Sequence, residues 1–425
     1  MVLTKAYDVI VVGGGPAGML AAARAAELGA RVLIIEKNDT LGRKMLITGG
    51  GRCNLTNNAN LEETIANIPG NGKFVYSALH RFSGQDLRDL LKKLGLRTKV
   101  EEQGRVFPVT DRAADVLNTL LKYLQRLGVS IRYQSKVDAL QIKDGCCQGV
   151  WLGEKMLAAN AVVLATGGLS YPQTGSTGEG HKMAQRAGHT ITPLYPAAVA
   201  ITCHDPWIVQ REVQGVSLPQ VMITLYNEKG KLLASEIGDI IFTHWGLSGP
   251  GALRVGRVVA LACAQGQGPL RGELDLFPQH TWQSLEQLII EKAATGSKRS
   301  LKNIISTLLP ERLSKVAITL SGLNPETPFD KLASDSLEVL VRLLKALPLK
   351  VTGTRPLAEA TVTGGGVHIK EINPRTMASK LIHGLFFAGE IIDVDAHTGG
   401  FNMQVAFSTG YLAGEAAASL TQESS

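Results

Sequence analysis

The pattern of apolar and polar residues at the start of the chain predicts a strand, a tight turn, a helix and a second strand. Val9–Val12 are all apolar, as in a strand that is buried on both faces. An alanine-rich helix is expected to continue to about Leu28 and to end at Gly29. The sequence RVLIIEK, from Arg31 onward, has the apolar run of another buried strand. This order is typical of a parallel sheet covered by helices.

Two later stretches predict further strands of the same sheet, and the segment between them has a different pattern. The sequence AVVLATGG at 161–168 begins as an apolar strand and ends in small residues, and Leu385–Ala388 form another short apolar run. Between them, short alternating runs over about 197–275 predict strands, and apolar residues at three- and four-residue spacing over about 280–346 predict helices. The expected fold class is therefore α/β, with an inserted β-plus-helical domain.

Composition excludes several classes of protein. Hydrophobic residues make up 44% and charged residues 19% of the 425 residues, which is ordinary for a soluble globular chain. No stretch reaches the ~18 apolar residues of a membrane helix. The five cysteines have neither metal-binding nor disulfide-framework spacing, so we expect no metal site and a cytoplasmic setting. The net charge of +7 permits an anionic partner such as RNA, although it also suits an ordinary basic enzyme surface.

The turn after the first strand has the pattern of a dinucleotide-binding site. Gly13, Gly15 and Gly18 match G-x-G-x-x-G, which allows a tight turn, a close approach of the backbone to a pyrophosphate, and close helix packing. Glu36 stands 23 residues after Gly13, where an acid is expected to bind ribose hydroxyls. The free N–H groups of the helix favour phosphate. These features predict an adenine dinucleotide and leave both NAD and FAD open.

The C-terminal segment favours FAD. Gly389–Glu390 end the strand of Leu385–Ala388, and Glu390 is placed to bond a polyol or ribose. Gly399–Gly400 then lead into a helix that is expected to begin near Phe401 or Asn402. A helix N-terminus directed at a flavin ring would stabilise negative charge on the reduced ring. An NAD dehydrogenase has no need of such a closing segment.

The stretch TGGGRCNLTN at 48–57 is expected to lie beside the cofactor, because it follows the second strand. Glycines at 49–51 would let backbone N–H groups approach the flavin or the pyrophosphate. Arg52 is a candidate to pair with phosphate or substrate. Cys53 has two interpretations: a proton donor to a substrate carbon, or a small buried residue that fills a gap.

Two histidines stand in similar glycine-rich contexts. His397 lies in DAHTGG, before the last helix, and His244 lies in FTHWGLSGP. Each is a candidate to supply a proton or bind a substrate carbonyl, and each is equally suited to a structural hydrogen bond. Of these candidates, Cys53 and His397 are the predicted catalytic residues.

The motifs together resemble those of the BaiN/RdsA family of FAD-dependent oxidoreductases, a branch of the two-dinucleotide-binding-domain flavoproteins. They include VIVVGGGPAGMLAA, GRKMLITGGGRCNLTN, ATGGLSYPQTGSTGEG, FTHWGLSGP, EATVTGGGV and GLFFAGEIIDVDAHTGGFNMQVAFSTG, in family order from residue 8 to 410. The resemblance implies that FAD is lined by Gly13, Gly15, Ala17, Gly18, Glu36, Lys37, Arg43, Lys44, Thr166, Gly167, Glu390, Gly400, Phe401, Asn402 and Met403. The motifs themselves add Pro16, Gly50, Gly51, Arg52 and Gly389.

The resemblance also implies a discontinuous, glutathione-reductase-like FAD-binding domain. Its first part is expected at 1–193, the inserted domain at 194–354, and its closing part at 355–425. The sequence TVTGGGVHI at 361–369 is interpreted as a tight turn, since strand-like residues follow its glycines. Because no second strand–GxGxxG–helix unit occurs, NADPH or NADH is expected to dock only transiently against the flavin.

Three functions remain open at this stage. The first is reduction of a C=C bond conjugated with a carbonyl, either in a uridine of large-subunit ribosomal RNA or in a small enone metabolite; the resemblance and the basic balance favour the RNA. The second is oxidation of a small amine such as aminoacetone. The third is a flavin-carrying RNA-binding or assembly factor without turnover. The oligomeric state is not predicted.

Overall fold

The computed structural model describes residues 7–294 and 299–423. They form two units: a sheet unit, made of the residues up to 195 and from 357 onward, and a barrel unit, residues 196–356. The predicted boundaries at 193/194 and 354/355 lie two residues earlier. Residues 1–6, 295–298 and 424–425, which belong to the predicted FAD-binding parts and to the predicted helical stretch, lie outside the described residues.

The first segment of the sheet unit begins with the predicted strand–turn–helix–strand order. Its strands are β1 (Val9–Val12), β2 (Val32–Ile35), β3 (Thr56–Asn57), β4 (Thr98–Val100), β5 (Arg105–Pro108), β6 (Ser130–Arg132), β7 (Ala139–Lys143), β8 (Cys146–Leu152), β9 (Lys155–Ala158) and β10 (Ala161–Leu164). Its helices are α1 (Pro16–Glu27), α2 (Arg43–Ile47), α3 (Leu61–Ala66), α4 (Tyr76–Arg81), α5 (Gly84–Lys93), α6 (Ala113–Arg126) and α7 (Glu179–Arg186).

The barrel unit is a closed antiparallel barrel with helices packed on it. Its strands are β11 (Tyr195–Ala198, at the unit boundary), β12 (Ile201–Cys203), β13 (Ser217–Tyr226), β14 (Leu232–Thr243), β15 (Gly246–Ser248), β16 (Leu270–Asp275) and β17 (Leu347–Thr354). Its helices are α8 (Pro206–Val209), α9 (Pro250–Ala264), α10 (Trp282–Ala294), α11 (Leu301–Ile305), α12 (Glu311–Leu320) and α13 (Ser334–Lys345). The barrel order is β12-β15-β14-β13-β16-β17, and β12 pairs with β17 to close it.

Helix α9 lies within the stretch of about 197–275 for which only strands were predicted, so the prediction was wrong there. Pro250 stands in its first turn, where the missing N–H costs no helical hydrogen bond. The helix packs against β12, β13, β14, β15 and β17. Its buried positions are Gly251, Ala252, Val255, Gly256, Val259, Ala260 and Ala262. A helix so rich in small and apolar residues has no long polar face, so its sequence resembles buried strands.

The closing segment of the sheet unit completes the parallel sheet. It contains β18 (Val362–Gly364), β19 (Leu385–Phe387) and α14 (Phe401–Glu423). The sheet order is β19-β10-β1-β2-β6, and every neighbouring pair is parallel. Strands β1, β2, β10 and β19 are buried throughout, as continuous apolar runs require when helices cover both faces. The predicted α/β fold is confirmed.

Two glycines let α14 lie directly against α1. A Cβ atom added at Gly410 would stand 2.1 Å from the carbonyl oxygen of Ala17, and one at Gly414 would stand 2.1 Å from that of Ala21. Since these neighbours are backbone atoms, side-chain movement cannot relieve such a contact. The C-terminal helix is therefore fixed on the helix that follows the glycine-rich turn. Among the described residues, no helix is both long and apolar enough to cross a bilayer.

Candidate cofactor and active site

The residues predicted to hold the cofactor follow neighbouring strands of the parallel sheet. Gly13 follows β1, Glu36 follows β2, Thr166–Gly167 follow β10, and Gly389–Glu390 follow β19. The strands are in register, so their last residues stand side by side. Ligands of such sheets bind beyond the carboxyl ends of the strands. The structure thus brings these segments, which are far apart in sequence, to one edge.

The glycines of the first turn have three different surroundings. Gly13 has φ +101°, and a Cβ there would stand 2.5 Å from the Ala165 carbonyl oxygen. A Cβ at Gly18 would stand 1.9 Å from the Gly13 carbonyl oxygen. Around Gly15, in contrast, there is no atom within 4 Å of such a Cβ, and α1 begins at the next residue, Pro16. The space beside Gly15 is therefore free, and a ligand placed there could bind the unpaired N–H groups in the first turn of α1.

Gly15→Ala is expected to leave the protein folded and to weaken FAD binding. The backbone at Gly15 (φ −76°) suits alanine and the new methyl meets no protein atom, but it would occupy the space assigned to the pyrophosphate. Overpacking of about 1–3 kcal/mol corresponds to roughly 5- to 150-fold in the dissociation constant. Titration of the apoprotein with FAD measures this, with thermal unfolding of the apoprotein as control. An unchanged FAD affinity would contradict the assignment.

Glu36 connects the end of β2 to the glycine turn. Its Oε2 accepts a hydrogen bond from the Gly14 N–H at 2.8 Å, and its Oε1 accepts from the N–H and Nδ2 of Asn38, both at 2.8 Å. The side chain is buried beside the turn. Each carboxylate oxygen has two lone pairs, so acceptor capacity is left for a ribose hydroxyl.

The four cations predicted near the cofactor are each paired with an acid of the sheet unit. Lys37 contacts Glu179, and Arg43 pairs with Asp39. The remaining pairs are Lys44–Glu390, Arg52–Asp111 and Arg52–Glu101. Arg52 also lies over the Phe107 ring, with its guanidinium carbon 4.1 Å from the ring centroid. Their charges are thus balanced within the protein, so the backbone N–H groups of α1 are the better candidates for the pyrophosphate.

Lys44 and Glu390 form the centre of a hydrogen-bond network that sequence inspection missed. Lys44 Nζ donates to Glu390 Oε2 at 2.8 Å and to Ser170 Oγ at 2.7 Å. Glu390 Oε1 also accepts from the Thr363 N–H at 2.7 Å and from Ser170 Oγ at 3.0 Å. Burial alone would raise the pKa of Glu390, but Lys44 and these donors together hold it below its ordinary value. Ser170 and Thr363 carried no signal because polar residues in glycine-rich loops are common.

Lys44→Met is expected to reduce the free energy of unfolding by about 1–3 kcal/mol at neutral pH, because it leaves the Glu390 carboxylate without its cation. A carboxyl with a lowered folded-state pKa stabilises the protein above its unfolded-state pKa and loses that effect as the pH falls through the folded-state pKa. The difference between the variant and the wild type should therefore shrink in acid. Urea denaturation at neutral and acid pH measures it, and a difference independent of pH would refute the ion pair's role.

The TGGGRCNLTN segment lies against the start of α14. With its amide oxygen toward the helix, Asn54 accepts a hydrogen bond from the Gly400 N–H at 3.1 Å. Asn57 Nδ2 donates to the Gly399 carbonyl at 3.0 Å. A Cβ at Gly400 would stand 2.2 Å from the Thr56 carbonyl oxygen. The segment and the helix start, separated by more than 300 residues, thus form one structural unit.

The backbone of this segment explains its glycines. Gly49, Gly50 and Gly51 have φ of +57°, +68° and +87°, and Cys53 has φ +64°. Glycine adopts such values without strain, whereas Cys53 does so at a cost of order 1 kcal/mol. The Cys53 side chain has no exposed surface, and burial raises the pKa of its thiol to about 12. Such an inaccessible thiol is better suited to filling a gap than to reaching a substrate.

His397 is half-buried in the loop that leads into α14. The backbone N–H of His397 donates to the Asn67 carbonyl at 2.9 Å, and its backbone carbonyl accepts from Asn402 Nδ2 at 3.2 Å. Asn402 therefore holds the loop, while Phe401 is buried and Met403 is half-buried. Of the two predicted proton donors, His397 is the one with solvent-accessible surface. His244 belongs to the barrel unit, where its ring lies 6.0 Å from that of Trp245.

These residues fit FAD. The free space at Gly15 and the first turn of α1 suit the pyrophosphate, the Glu36 carboxylate suits the ribose, and the N-terminus of α14 supplies a positive helix end for a flavin. Thr166 Oγ1 is buried and has no hydrogen-bond partner within the described part of the chain. Such an unsatisfied polar atom next to the strand edge is suited to a polar ligand.

Comparison with known proteins identifies the family. The family described as HI0933-like protein Rossmann domain matches residues 7–416. The chain is 32% identical over 406 residues to the ribosomal RNA dihydrouridine synthase of Escherichia coli (strain K12), covering 95% of this chain and 96% of that protein. It is 30% identical over 412 residues to the 3-dehydro-bile acid delta(4,6)-reductase of Clostridium scindens, covering 96% and 98%.

A solved structure shares the fold. The 3-ketosteroid-delta4-(5alpha)-dehydrogenase from Rhodococcus jostii RHA1 superimposes with a TM-score of 0.52 at 18% identity, over 98% of both chains. The family match and the near-full-length relatives confirm the resemblance drawn from the motifs. The chain therefore belongs to the HI0933-like Rossmann family and is an FAD-dependent oxidoreductase.

Proposed function

We propose that this enzyme takes electrons from NADPH or NADH and reduces a C=C bond conjugated with a carbonyl, and that its substrate is a uridine of large-subunit ribosomal RNA. The observation that carries the reaction class is the half-buried His397 in the loop that leads into α14, where a proton donor and a positive helix end lie together. The name of the E. coli relative supports the substrate.

The chemistry requires one hydride and one proton. FAD held at the carboxyl edge of the sheet would supply the hydride, which is needed at C6 of uracil, the β carbon. His397 delivers the proton to C5, the α carbon, so that the C5=C6 double bond becomes a single bond and two C–H bonds are formed. Negative charge develops on the C4 carbonyl oxygen as the hydride arrives. The N–H groups in the first turn of α14 would favour the negative charge of the reduced flavin from which the hydride comes.

One feature of the chain supports RNA, and another bears on how a nicotinamide reductant would bind. The net charge of +7 and the sequence pI of about 9.1 favour an anionic substrate. The three glycines of TVTGGGVHI, at 364–366, are followed by an isolated bridge and a short 3-10 turn rather than by an α-helix. The reductant would accordingly bind at the flavin only during electron transfer.

A small enone is the second candidate substrate. The bile-acid reductase of C. scindens is nearly as similar to this chain as the E. coli protein, and its name also denotes a reductase. Both substrates require the same hydride and proton positions, so the geometry of the sheet unit suits either. The charge of the chain favours RNA.

Anaerobic flavin spectroscopy separates the candidates. The purified holoenzyme is bleached with NADPH and then given an unmodified large-subunit ribosomal RNA transcript, a Δ4-3-ketosteroid, or buffer. We expect recovery of the flavin absorbance with the RNA, and dihydrouridine in the recovered transcript. A transcript made with dihydrouridine in place of uridine is the matched control and should give no recovery. Recovery with the steroid alone would contradict the RNA substrate, and reduction by aminoacetone with peroxide formation in air would contradict the reductase.

A further inference from the structure

A second pocket lies on the sheet unit, around α4 and the middle of α14. Its volume is about 370 Å³, within the ~300–1,000 Å³ of ligand pockets. Its walls include Tyr76, His80, Arg81, Arg375, Leu412 and Glu415. We call it the Tyr76 pocket. It is separate from the start of α14, because Leu412 and Glu415 stand 11 and 14 residues after Phe401, which is about 16–21 Å along a helix.

An exposed aromatic surface forms one wall. Tyr76 is 51% exposed, although it is a large ring on a helix whose Ala78 and Leu79 are buried. The His80 ring lies nearly parallel to it, with centroids 6.2 Å apart and planes 14° apart. Exposed flat rings of this kind are the surfaces on which unpaired nucleobases stack.

The lining also contains cationic groups. Arg81 donates from Nε and Nη2 to Glu415 at 2.8 and 2.6 Å, and Arg24 also donates to Glu415. Arg375 is exposed, and its guanidinium makes no ion pair with any residue the structure describes. The lining thus contains two guanidinium groups and one carboxylate, and that carboxylate is shared between Arg81 and Arg24. A phosphate would find a net positive charge and unused N–H donors.

We infer that the Tyr76 pocket binds a nucleotide of single-stranded RNA that flanks the reacting uridine. The base stacks on Tyr76 and the phosphate binds Arg375 and Arg81. This inference rests on the proposed function, since it assigns a second contact to the same RNA. An acidic protein segment would use the guanidinium groups but has no planar group for the exposed ring, so the aromatic wall favours RNA.

The test is fluorescence anisotropy of a labelled single-stranded oligoribonucleotide with FAD-loaded protein. Tyr76→Ala should weaken binding about 5- to 150-fold, whereas Tyr76→Phe, which keeps the ring, should bind like the wild type. Arg375→Ala should weaken binding and reduce the dependence of log K on log salt by about 0.7–1. The matched control is Lys122→Ala, which removes one exposed charge from α6 and should have little effect.

Equal RNA binding by Tyr76→Ala, Arg375→Ala and Lys122→Ala would refute the inference. So would a wild-type protein that does not bind the oligonucleotide. A polyglutamate peptide that binds through these residues when RNA does not would also refute it. Its failure is distinguishable from that of the proposed function. If dihydrouridine forms independently of Tyr76, the role of the Tyr76 pocket is refuted and the proposed function stands. If RNA binding depends on Tyr76 but no dihydrouridine forms, the pocket's role stands and the proposed function is refuted.

Discussion

Replacing His397 with glutamine is expected to slow the transfer from reduced flavin to substrate by about 10²–10⁴-fold, the usual contribution of a general acid. Reduction of the flavin by NADPH should change little, because no substrate carbon is protonated in that step. The main chain of His397 is held by Asn67 and Asn402, so the loop should keep its position in the variant. Anaerobic stopped-flow spectroscopy measures the two half-reactions separately.

Cys53→Ala is the matched comparison. The Cys53 side chain is inaccessible, and its replacement should cost about 1 kcal/mol of stability with less than about a tenfold change in either half-reaction. Alanine keeps the strained positive φ, so backbone relaxation should not complicate the result. If instead Cys53→Ala abolishes substrate reduction and His397→Gln does not, the proton comes from the thiol and the role assigned to His397 is wrong.

Gly410→Val is expected to lower the free energy of unfolding by about 3 kcal/mol and to release FAD. The added Cβ would stand 2.1 Å from the Ala17 carbonyl oxygen, and α1 and α14 must separate to admit it. Because α1 carries the glycine turn and α14 begins beside the TGGGRCNLTN segment, that separation would disturb both ends of the cofactor site. Denaturation of the holoprotein, followed by flavin fluorescence, measures both effects.

Ser419→Val provides the control for this substitution. Ser419 is exposed on the same helix, so valine there is tested without the contact to α1. Helix propensity alone changes little for Ser419→Val and favours Gly410→Val, so a loss of stability at Gly410 reports the contact. We expect a change of about 0.5 kcal/mol or less and normal flavin content. Equal stability of the two variants would mean that the close packing of α1 and α14 does not hold the site together.

Local patterns were sufficient for the elements that carry the cofactor. The runs at Val9–Val12 and Val32–Ile35 are apolar enough to be buried on both faces, and Gly29, with φ +89°, follows α1 as predicted. Helix α14 begins at Phe401, directly after the two glycines that marked its start. In each case the residues that predict the element are close neighbours in sequence, so their spacing alone determines the local backbone structure.

Contacts between distant parts of the chain could not be predicted in this way. Lys44 and Glu390 are 346 residues apart, and nothing near either residue identifies the other as its partner. Barrel closure likewise depends on pairing between β12 and β17, far apart in sequence. Helix α9 was missed for another reason: its small and apolar residues are buried on several sides, so no polar stripe marks its period.

We have proposed that this flavoenzyme reduces uridine in large-subunit ribosomal RNA. The most direct measurement is mass spectrometry of nucleosides and fragments of that RNA from cells with the gene, without it, and complemented with the wild-type or His397→Gln protein. We predict that dihydrouridine disappears from at least one position without the gene and returns with the wild-type protein but not with the variant. Unchanged dihydrouridine in cells that lack the gene would contradict the claim.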